Sequence, residues 1–275
     1  MFKNVTKKYR AEGLRGVARA TVRKLLRHRE PEKPPVSAAL AALLEGDHFC
    51  VVQIGAYIGD TYNDPLFETL SRGLHRGNGK LVAVEPVSQY FQQLQRSYVG
   101  VPHVFCENVA IAAHSGPATF YRLGVDPEEH GYPAWLCQLG SLKRERMEKL
   151  WNNYEGNPDY QEFYLKHRIA EEVNCLTFAD LLKRHQLAGV DLLQIDVEGF
   201  ESEILSSIDF KSTPVRFVNY ECVLLQEQKW NVERMMAGNG FRCMDYGQDT
   251  FCWTAEDDHL IDSWRRSLPI RTSVA

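Results

Sequence analysis

The sequence predicts an α/β domain built on a mostly parallel β-sheet with helices on both faces. From Phe49 onwards, short apolar runs alternate with helix-like segments, an order typical of βαβ units. The runs are predominantly apolar, as expected for strands that are buried on both faces. With 275 residues, of which 44% are hydrophobic and 25% charged, the chain suits one large domain with additions, or at most two domains.

The first half of the domain is predicted to contain three strands. A short helix over residues 36–46 ends at Gly46 and precedes them. The predicted strands are 51–54, 80–84 and 103–106, and the helices between them are 60–72 and 88–98. This half therefore reads as two successive βαβ units.

The alternation breaks near residue 110. Strand-like runs at 118–122 and 172–176 flank a long polar and aromatic segment. Thr177, with Asp180 three residues later, resembles a capping box at the start of a helix that continues to about residue 186. The last predicted elements are a strand at 192–195, a helix at 198–207, a strand at 215–220 and an antiparallel hairpin of 240–245 with 250–254.

The first 30 residues are strongly basic. They contain ten Lys or Arg and two Glu, a net charge of +8, which leaves −12 for the remainder because the whole chain carries −4. Leu14, Val17, Thr21 and Leu25 recur at helical spacing, so the segment is predicted to be an amphipathic helix, followed by a proline-rich linker up to residue 35. Such a helix either packs on the domain with its charges in water or lies against an anionic membrane or a partner.

The bulk properties argue against several classes of protein. A net charge of −4 gives no reason to expect a nucleic-acid partner. Apolar runs stay well short of the roughly 18 residues of a membrane span, and Lys and Arg interrupt every candidate signal sequence. We therefore expect a cytoplasmic protein, with peripheral membrane contact through residues 1–30 as an open alternative. The seven cysteines form no C-x-x-C pair and several lie in apolar runs, which predicts buried free thiols in a reducing compartment.

Gly55 and Gly59 follow the first strand and precede a helix. Glycine at such a turn lets the backbone bend sharply and approach a ligand closely. The two glycines are four residues apart, so they do not form the G-x-G-x-x-G dinucleotide fingerprint. Glu85 ends the second strand, where a carboxylate can accept both hydroxyls of a ribose. Together these features predict a nucleoside site, against the simpler interpretation of a tight turn beside a surface glutamate.

An acidic turn, Asp196-Val197-Glu198-Gly199-Phe200-Glu201, follows the strand at 192–195. In open α/β sheets the carboxyl ends of the strands line the ligand crevice. Three roles are open for Asp196 and Glu198. They form a general base and its orienting partner, they ligate a divalent metal with Glu221 as a third ligand, or they cap the following helix. Glu201 is interpreted as a charge at the start of that helix.

Four segments of the chain resemble the FkbM-type family of S-adenosylmethionine-dependent methyltransferases. They are residues 54–61, 84–86, 108–111 and 193–201, and the last carries the pattern Asp-x-Glu-Gly-x-Glu. Order and spacing agree from about residue 49 to about residue 225. The resemblance implies the class I methyltransferase fold, which is Rossmann-like and has a seven-stranded, mostly parallel sheet with an antiparallel last strand. It also implies S-adenosylmethionine as the cofactor.

The resemblance further implies roles for residues at the strand ends. The implied cofactor-binding residues are Gln53, Gly55, Ala56, Tyr57, Gly59, Glu85, Glu107 and Asn108. Glu85 would hold the ribose, and Glu107 or Asn108 would lie near the adenine. The alternative for Asn108 is a turn residue that bonds its own backbone. Gln53 stands where the family usually has an acidic residue and Gln194 where it often has Lys, so Gln53 supplies no charge for an ammonium group.

Residues 123–171 are predicted to be an insertion that covers the site. The segment mixes aromatic residues with Lys and Arg, which suits either a lid that stacks on sugar rings or the core of an inserted helical hairpin. Tyr132, Trp135 and Ser141 are its candidate substrate contacts. Glu221, at the end of the strand at 215–220, is a fourth candidate.

The expected reaction is methyl transfer from S-adenosylmethionine to a hydroxyl of a sugar, a glycan or a secondary metabolite. Asp196 and Glu198 are the candidate catalytic residues, and no metal is predicted. The hydroxyl acceptor is implied by the resemblance alone. Two alternatives remain, which are another nucleotide-using α/β enzyme such as a dehydrogenase, and a non-catalytic scaffold, which Gln53 and Gln194 leave open. The expected domains are the basic helix and linker at 1–35, the methyltransferase domain at 36–262 and a tail at 263–275.

Overall fold

A computed structural model of the chain describes residues 34–61, 66–144 and 158–267. The basic segment, with its predicted amphipathic helix and membrane contact, lies outside these residues, as does the end of the predicted tail. Within the described ranges, none of the helices is both long enough and apolar enough to cross a bilayer.

Helices and strands alternate largely as the sequence predicts. The helices are α1 (Pro35–Glu45), α2 (Phe67–Leu74), α3 (Ser88–Ser97), α4 (Pro158–His167), α5 (Phe178–Arg184), α6 (Glu201–Ser207), α7 (Gln228–Gly238) and α8 (Asp258–Ser267). The strands are β1 (Phe49–Ile54), β2 (Gly79–Val84), β3 (Val104–Glu107), β4 (Ala110–Ile111), β5 (Gly116–Leu123), β6 (Gly140–Ser141), β7 (Arg168–Leu176), β8 (Val190–Ile195), β9 (Val215–Glu221), β10 (Phe241–Tyr246) and β11 (Asp249–Thr254). Short 3₁₀ turns occur at Glu128–His130, Ala134–Gln138 and Ala255–Asp257.

Seven strands form the main sheet in the order β10-β11-β9-β8-β1-β2-β3. Strands β3, β2, β1, β8 and β9 pair in parallel, and β11 runs antiparallel to both of its neighbours. The class I methyltransferase architecture with an antiparallel last strand is therefore confirmed.

The main sheet is buried on both faces. Val51 and Val52, successive residues of β1, are fully buried and pack into two different core clusters. One cluster includes side chains of α1, α2, α3 and α8, and the other includes side chains of α5, α6 and α7. Because successive residues of a strand point to opposite faces, the two clusters are the two layers of helices that the apolar runs predict.

The strand-like runs at 118–122 and 172–176 are strands, but they belong to a second sheet. That sheet has the order β4-β7-β5-β6, and β5 pairs antiparallel with β7 along its whole length. The described part of the segment between β5 and β7 contains two 3₁₀ turns, β6 and α4. The predicted insertion is therefore rooted in a small sheet of its own.

Several boundaries differ from the prediction, and three of them bear on the site or on the extent of the domain. Helix α2 begins at Phe67 and α6 begins at Glu201, later than expected. Helix α6 cannot begin at Glu198, because Glu198 and Gly199 both have positive φ angles, of 54° and 90°. Helix α8 passes the predicted domain end at residue 262, since Trp264 is only 8% exposed and packs into the core.

The predicted hairpin of β10 and β11 is confirmed, with Gly247 at φ 63° in the turn between the strands. Cys243 and Cys252 lie directly opposite each other in this hairpin, with Cα atoms 4.2 Å apart, and form a disulfide. The prediction that the cysteines are free thiols is therefore wrong for this pair. The sequence alone does not show the register that brings the two sulfurs together.

Candidate functional site

A cleft opens at the carboxyl ends of β1, β2 and β8. Strand β1 has β2 on one side and β8 on the other, so the order of the strands reverses at this point. Such a reversal opens a crevice between the turns that follow the neighbouring strands. The space in the cleft, its open mouth included, is about 1110 Å³.

The turn after β1 is fixed against both neighbouring strands. The amides of Gly55 and Ala56 both donate to the carbonyl oxygen of Val84 at 3.0 Å. On the other side, the amide of Asp196 donates to the carbonyl oxygen of Ile54 at 3.0 Å. Gly55 has φ 83°, and a Cβ added to it would lie 1.7 Å from the carbonyl oxygen of Asp196. Only glycine therefore fits between the two turns.

Glu85 is held in the cleft wall by backbone donors. Its Oε2 accepts from the amide of Tyr57 at 3.0 Å, and its Oε1 accepts from the amide of Val87 at 2.8 Å. The residue is 6% exposed, and burial raises the pKa of its carboxyl to about 8 despite these two hydrogen bonds. Each oxygen retains a second lone pair, so the carboxyl can receive two further donors from a ligand in the cleft.

Buried amide side chains cross the sheet beneath the cleft. Gln53, Gln194 and Asn219 occupy paired positions on β1, β8 and β9. The Asn219 Nδ2 donates to Gln194 Oε1 at 2.9 Å and to Asp249 Oδ2 at 3.0 Å. Gln53 and Gln194 line the cleft. Asn219 was not a candidate from the sequence, because its link to Gln194 depends on the strand order.

The acidic turn after β8 is organised by Glu201. This residue is 0% exposed, and its Oε1 accepts from the amides of Val197 at 3.0 Å and Gly199 at 3.2 Å. Helix α6 has Phe200 at its N-cap position and no side-chain capping bond. A capping role for Asp196 and Glu198 remains a prediction. Glu201, interpreted from the sequence as helix charge, instead holds the turn in place.

Three carboxyl groups converge beside this turn. Oxygens of Asp196, Glu198 and Glu221 lie within 4.8 Å of one another, and the first two residues line the cleft. Burial raises the pKa of Glu198 well above its usual value, and the charges of Asp196 and Glu201 raise it further. Burial and the neighbouring carboxylates, Glu198 first, raise the pKa of Glu221 in the same direction. Such a group can hold a proton, accept one or bind a cation.

Comparison of the chain with known protein families shows which family it belongs to. The model of the methyltransferase FkbM domain matches residues 53–243, more than two thirds of the sequence. The chain belongs to the FkbM methyltransferase family. The match includes both turns that meet at Gly55 and Asp196, and it confirms the family that the sequence motifs resemble.

Solved structures similar to this FkbM domain include several methyltransferases. A human methyltransferase 10 domain containing protein has a TM-score of 0.40 and 12% identity, covering 92% of this chain and 97% of its own. A precorrin-6y C5,15-methyltransferase from Geobacter metallireducens has a TM-score of 0.39 and 13% identity, covering 79% and 86%. A SAM-dependent methyltransferase from Aquifex aeolicus has a TM-score of 0.35 and 11% identity, covering 85% and 95%. No curated protein matches the chain by sequence.

Two predicted cofactor residues of the FkbM domain, Glu107 and Asn108, are not among the described residues that line the cleft. Arg184 Nη1 and His185 Nε2 each lie 2.8 Å from an oxygen of Glu107. Asn108 Nδ2 donates to the carbonyl oxygens of Glu85 and Pro86, both at 2.9 Å. Asn108 therefore fixes the backbone after β2, and not its own backbone as the alternative interpretation had it. The cleft wall after β3 consists instead of Val109, Ala110 and Ile111.

Two aromatic residues predicted to bind the substrate lie in a small core of the insertion. Tyr132 stacks on Phe163 with ring centroids 4.0 Å apart, and Trp135 lies edge-on to Tyr160 at 5.9 Å. Neither is among the described residues that line the cleft. The core interpretation of the aromatic segment is therefore correct for this pair.

Ser141 and Glu221 also lie outside the described cleft lining. Ser141 is 1% exposed, and its Oγ accepts from the amide of Lys143 at 3.3 Å. The second sheet instead presents Phe120 and Arg122 of β5 to the cleft, together with Cys137 and Leu142. Phe120 and Arg122 are two residues apart on one strand, so their side chains lie on the same face of the sheet. The sequence shows this alternation but does not show which face meets the cleft.

Arg122 is the cation of the cleft wall among the described lining residues. Its Nε and Nη2 donate to the two carboxylate oxygens of Glu171, both at 2.8 Å. The guanidinium group also lies over the ring of Tyr90, 6.0 Å from its centroid. A paired and packed guanidinium is fixed in position, so it provides the cleft with a directional donor rather than a mobile charge.

Proposed function

We propose that this FkbM domain transfers a methyl group from S-adenosylmethionine to a hydroxyl group of a sugar, a glycan or another small metabolite. The observation that carries the proposal is that Glu85, a buried hydrogen-bond acceptor, lines the same cleft as the carboxyl groups of Asp196 and Glu198. Membership of the family supports methyl transfer, and the hydroxyl acceptor is our extension.

The residues of the cleft fit a nucleoside cofactor. Glu85 offers two oriented oxygens to the ribose hydroxyls, and Val109, Ala110 and Ile111 offer an apolar surface to the base. Gln53, buried in the same wall, can hydrogen-bond the amino-acid end. When bound, S-adenosylmethionine supplies an electrophilic methyl group on its sulfonium sulfur.

The acidic turn supplies the group that receives the acceptor's proton. An alcohol is a weak nucleophile until its proton is transferred, so a base within hydrogen-bond reach accelerates the reaction. Among the three clustered carboxyl residues, Asp196 is exposed and lines the cleft, whereas the side chain of Glu198 is half-buried. In the proposed reaction the hydroxyl oxygen bonds the methyl carbon as the bond from that carbon to the sulfonium sulfur breaks, and S-adenosylhomocysteine is the leaving group. The hydroxyl proton passes to the Asp196 carboxylate. Glu198 orients that carboxylate.

Calorimetry with S-adenosylmethionine and with NAD tests the cofactor. The proposal expects saturable binding of S-adenosylmethionine and none of NAD. Binding of NAD alone would show a dehydrogenase-type enzyme, and binding of neither would show a scaffold. Incubation with methyl-labelled S-adenosylmethionine and fractionated cell extract then identifies the acceptor by mass spectrometry. Label found only on nitrogen or carbon atoms would overturn the hydroxyl assignment.

A further inference from the structure

We propose that Asp196, Glu198 and Glu221 form a binding site for a hard divalent cation, Mg²⁺ or Mn²⁺, at the edge of the cleft. Cation binding is a property of these three side chains alone. Its use in the reaction, where the ion would polarise the acceptor hydroxyl, rests on the proposed function.

The strand register brings the three carboxyl groups together. Ile195 of β8 and Tyr220 of β9 are paired, so Asp196 and Glu221 follow them side by side at the end of the sheet. The positive φ of Glu198, 54°, turns the chain back, and oxygens of all three residues lie within 4.8 Å of one another. Oxygen ligands of Mg²⁺ at about 2.1 Å lie about 3–4 Å apart, so a small contraction closes the site.

Buried oxygens without partners point to a missing ligand. Glu198 Oε2 and Glu221 Oε2 are both closed off from solvent, and neither has a hydrogen-bond partner within the described part of the chain. Buried carboxylate oxygens are normally satisfied by donors or by a metal. Two such atoms in one cluster are explained together if a single cation lies between them.

The electrostatic surroundings favour a cation over further anions. Two further carboxyl groups adjoin the three ligands, Glu201 through the turn that it holds and Asp249 at the position paired with Glu221. All of these are negative. A proton is one positive occupant for such a group, and a divalent cation with carboxylate ligands is the other. Glu201 accepts hydrogen bonds from the two amides that flank Glu198, so the turn that carries Asp196 and Glu198 is fixed before the ion binds.

Titration of the chelator-treated full-length protein with Mn²⁺ tests the site, by calorimetry and by electron paramagnetic resonance of free Mn²⁺. Saturable binding of one ion is expected. Glu198→Gln and Glu221→Gln should each weaken it by at least about tenfold, because each replaces an anionic ligand oxygen with a neutral amide oxygen. Glutamine keeps the shape and relieves charge repulsion, so both variants should fold, which thermal melting checks.

Asp249→Asn is the matched control. Asp249 is a nearby carboxyl group that accepts from Asn219 Nδ2 at 3.0 Å, so its neutralisation removes a neighbouring charge but no ligand and should weaken Mn²⁺ binding clearly less than either glutamine variant. An equal loss in all variants would reduce the effect to general charge and overturn the site. No binding at about 1 mM Mn²⁺ would show that the group holds only protons.

The same preparation separates this inference from the proposed function. Binding of S-adenosylmethionine without binding of Mn²⁺ would overturn the cation site and leave methyl transfer standing. Binding of Mn²⁺ without binding of S-adenosylmethionine would do the reverse.

Discussion

The carbonyl oxygen of Asp196 lies directly against the α-carbon of Gly55. A side chain on Gly55 would begin 1.7 Å from that oxygen, well inside contact distance. This approach joins the two motifs that stand far apart in the sequence, the glycine turn after β1 and the acidic turn after β8. The proposed cofactor side and the proposed reaction side of the cleft therefore share one backbone contact.

Gly55→Ala should separate the two turns and remove function. The added methyl group overlaps the Asp196 carbonyl, and the residue is also held at φ 83°. We expect a loss of unfolding free energy of about 3 kcal/mol or more, with loss of S-adenosylmethionine binding. Urea unfolding followed by circular dichroism measures the first effect and calorimetry the second.

Gly100→Ala provides the control for that substitution. Gly100 has the same φ of 83°, but nothing lies within 4 Å of an added Cβ. Its cost should be the backbone term alone, about 1 kcal/mol. Similar losses for the two variants would mean that the contact with Asp196 contributes little.

Glu201→Ala should disorganise the acidic turn. It leaves the buried amides of Val197 and Gly199 without their acceptor, which costs about 2–4 kcal/mol for two such groups. We expect methyl transfer to fall at least about a hundredfold. Glu201→Gln retains an oxygen at this position and should restore much of the rate.

Glu203→Ala on the same helix separates this effect from damage to α6. Glu203 lies in the first turn of the helix and is bonded to Lys143 and to the hydroxyl of Ser202. It should leave the rate within a few-fold of wild type. If both alanine variants lose activity equally, Glu201 acts through the helix and not through the turn.

Ligand affinity should depend on the ionisation of Glu85. Ribose hydroxyls donate to the ionised carboxylate, and the pKa of this buried group is about 8 without ligand. Binding should therefore tighten as the pH rises from 6 to about 8, by up to about tenfold per pH unit, and level off above. Methylthioadenosine is the suitable probe, because it has the nucleoside but no titratable amino group.

Glu85→Gln should abolish that pH dependence and bind about tenfold more weakly at pH 9. A wild-type protein whose methylthioadenosine affinity is the same from pH 6 to 9 would place the ribose elsewhere.

Asp196→Ala should abolish methyl transfer while S-adenosylmethionine affinity stays within a few-fold of wild type. The side chain is exposed at the cleft, whereas the contact with Gly55 is made by the backbone, which alanine keeps. Single-turnover methyl transfer and calorimetry on one preparation measure the two quantities. Wild-type turnover would remove Asp196 from the chemistry.

The main sheet could be predicted because each of its strands is marked by a local sequence pattern. The apolar runs of β1, β2, β8 and β9 and the turn glycines need no knowledge of distant residues. Thr177 likewise caps α5 as predicted, with its Oγ1 accepting from the amide of Asp180 at 3.0 Å. The positions of Glu85 and Asp196 in one cleft followed from the rule that strand ends meet at one edge.

The remaining site residues depend on register and packing. In the sequence, Glu201 resembles an ordinary acidic residue at a helix start. Its role as acceptor for two amides of the preceding turn depends on the positive φ angles of Glu198 and Gly199, which the sequence does not show. Tyr132 and Trp135 have the composition of a lid, yet they face a neighbouring helix. The pairing of Cys243 with Cys252 also requires the hairpin register.

Because the second sheet forms one side of the cleft, the two walls of the cleft come from differently distributed parts of the sequence. One wall is assembled from turns scattered over most of the domain, and each of them is tied to another by a backbone contact such as that of Gly55 with Asp196. The other wall comes from a single stretch between Phe120 and Leu142. Replacement of that stretch can reshape the mouth of the cleft without disturbing the tied turns. Under the proposed function, a local exchange of sequence can therefore change the acceptor, whereas the cofactor half can change only as a unit.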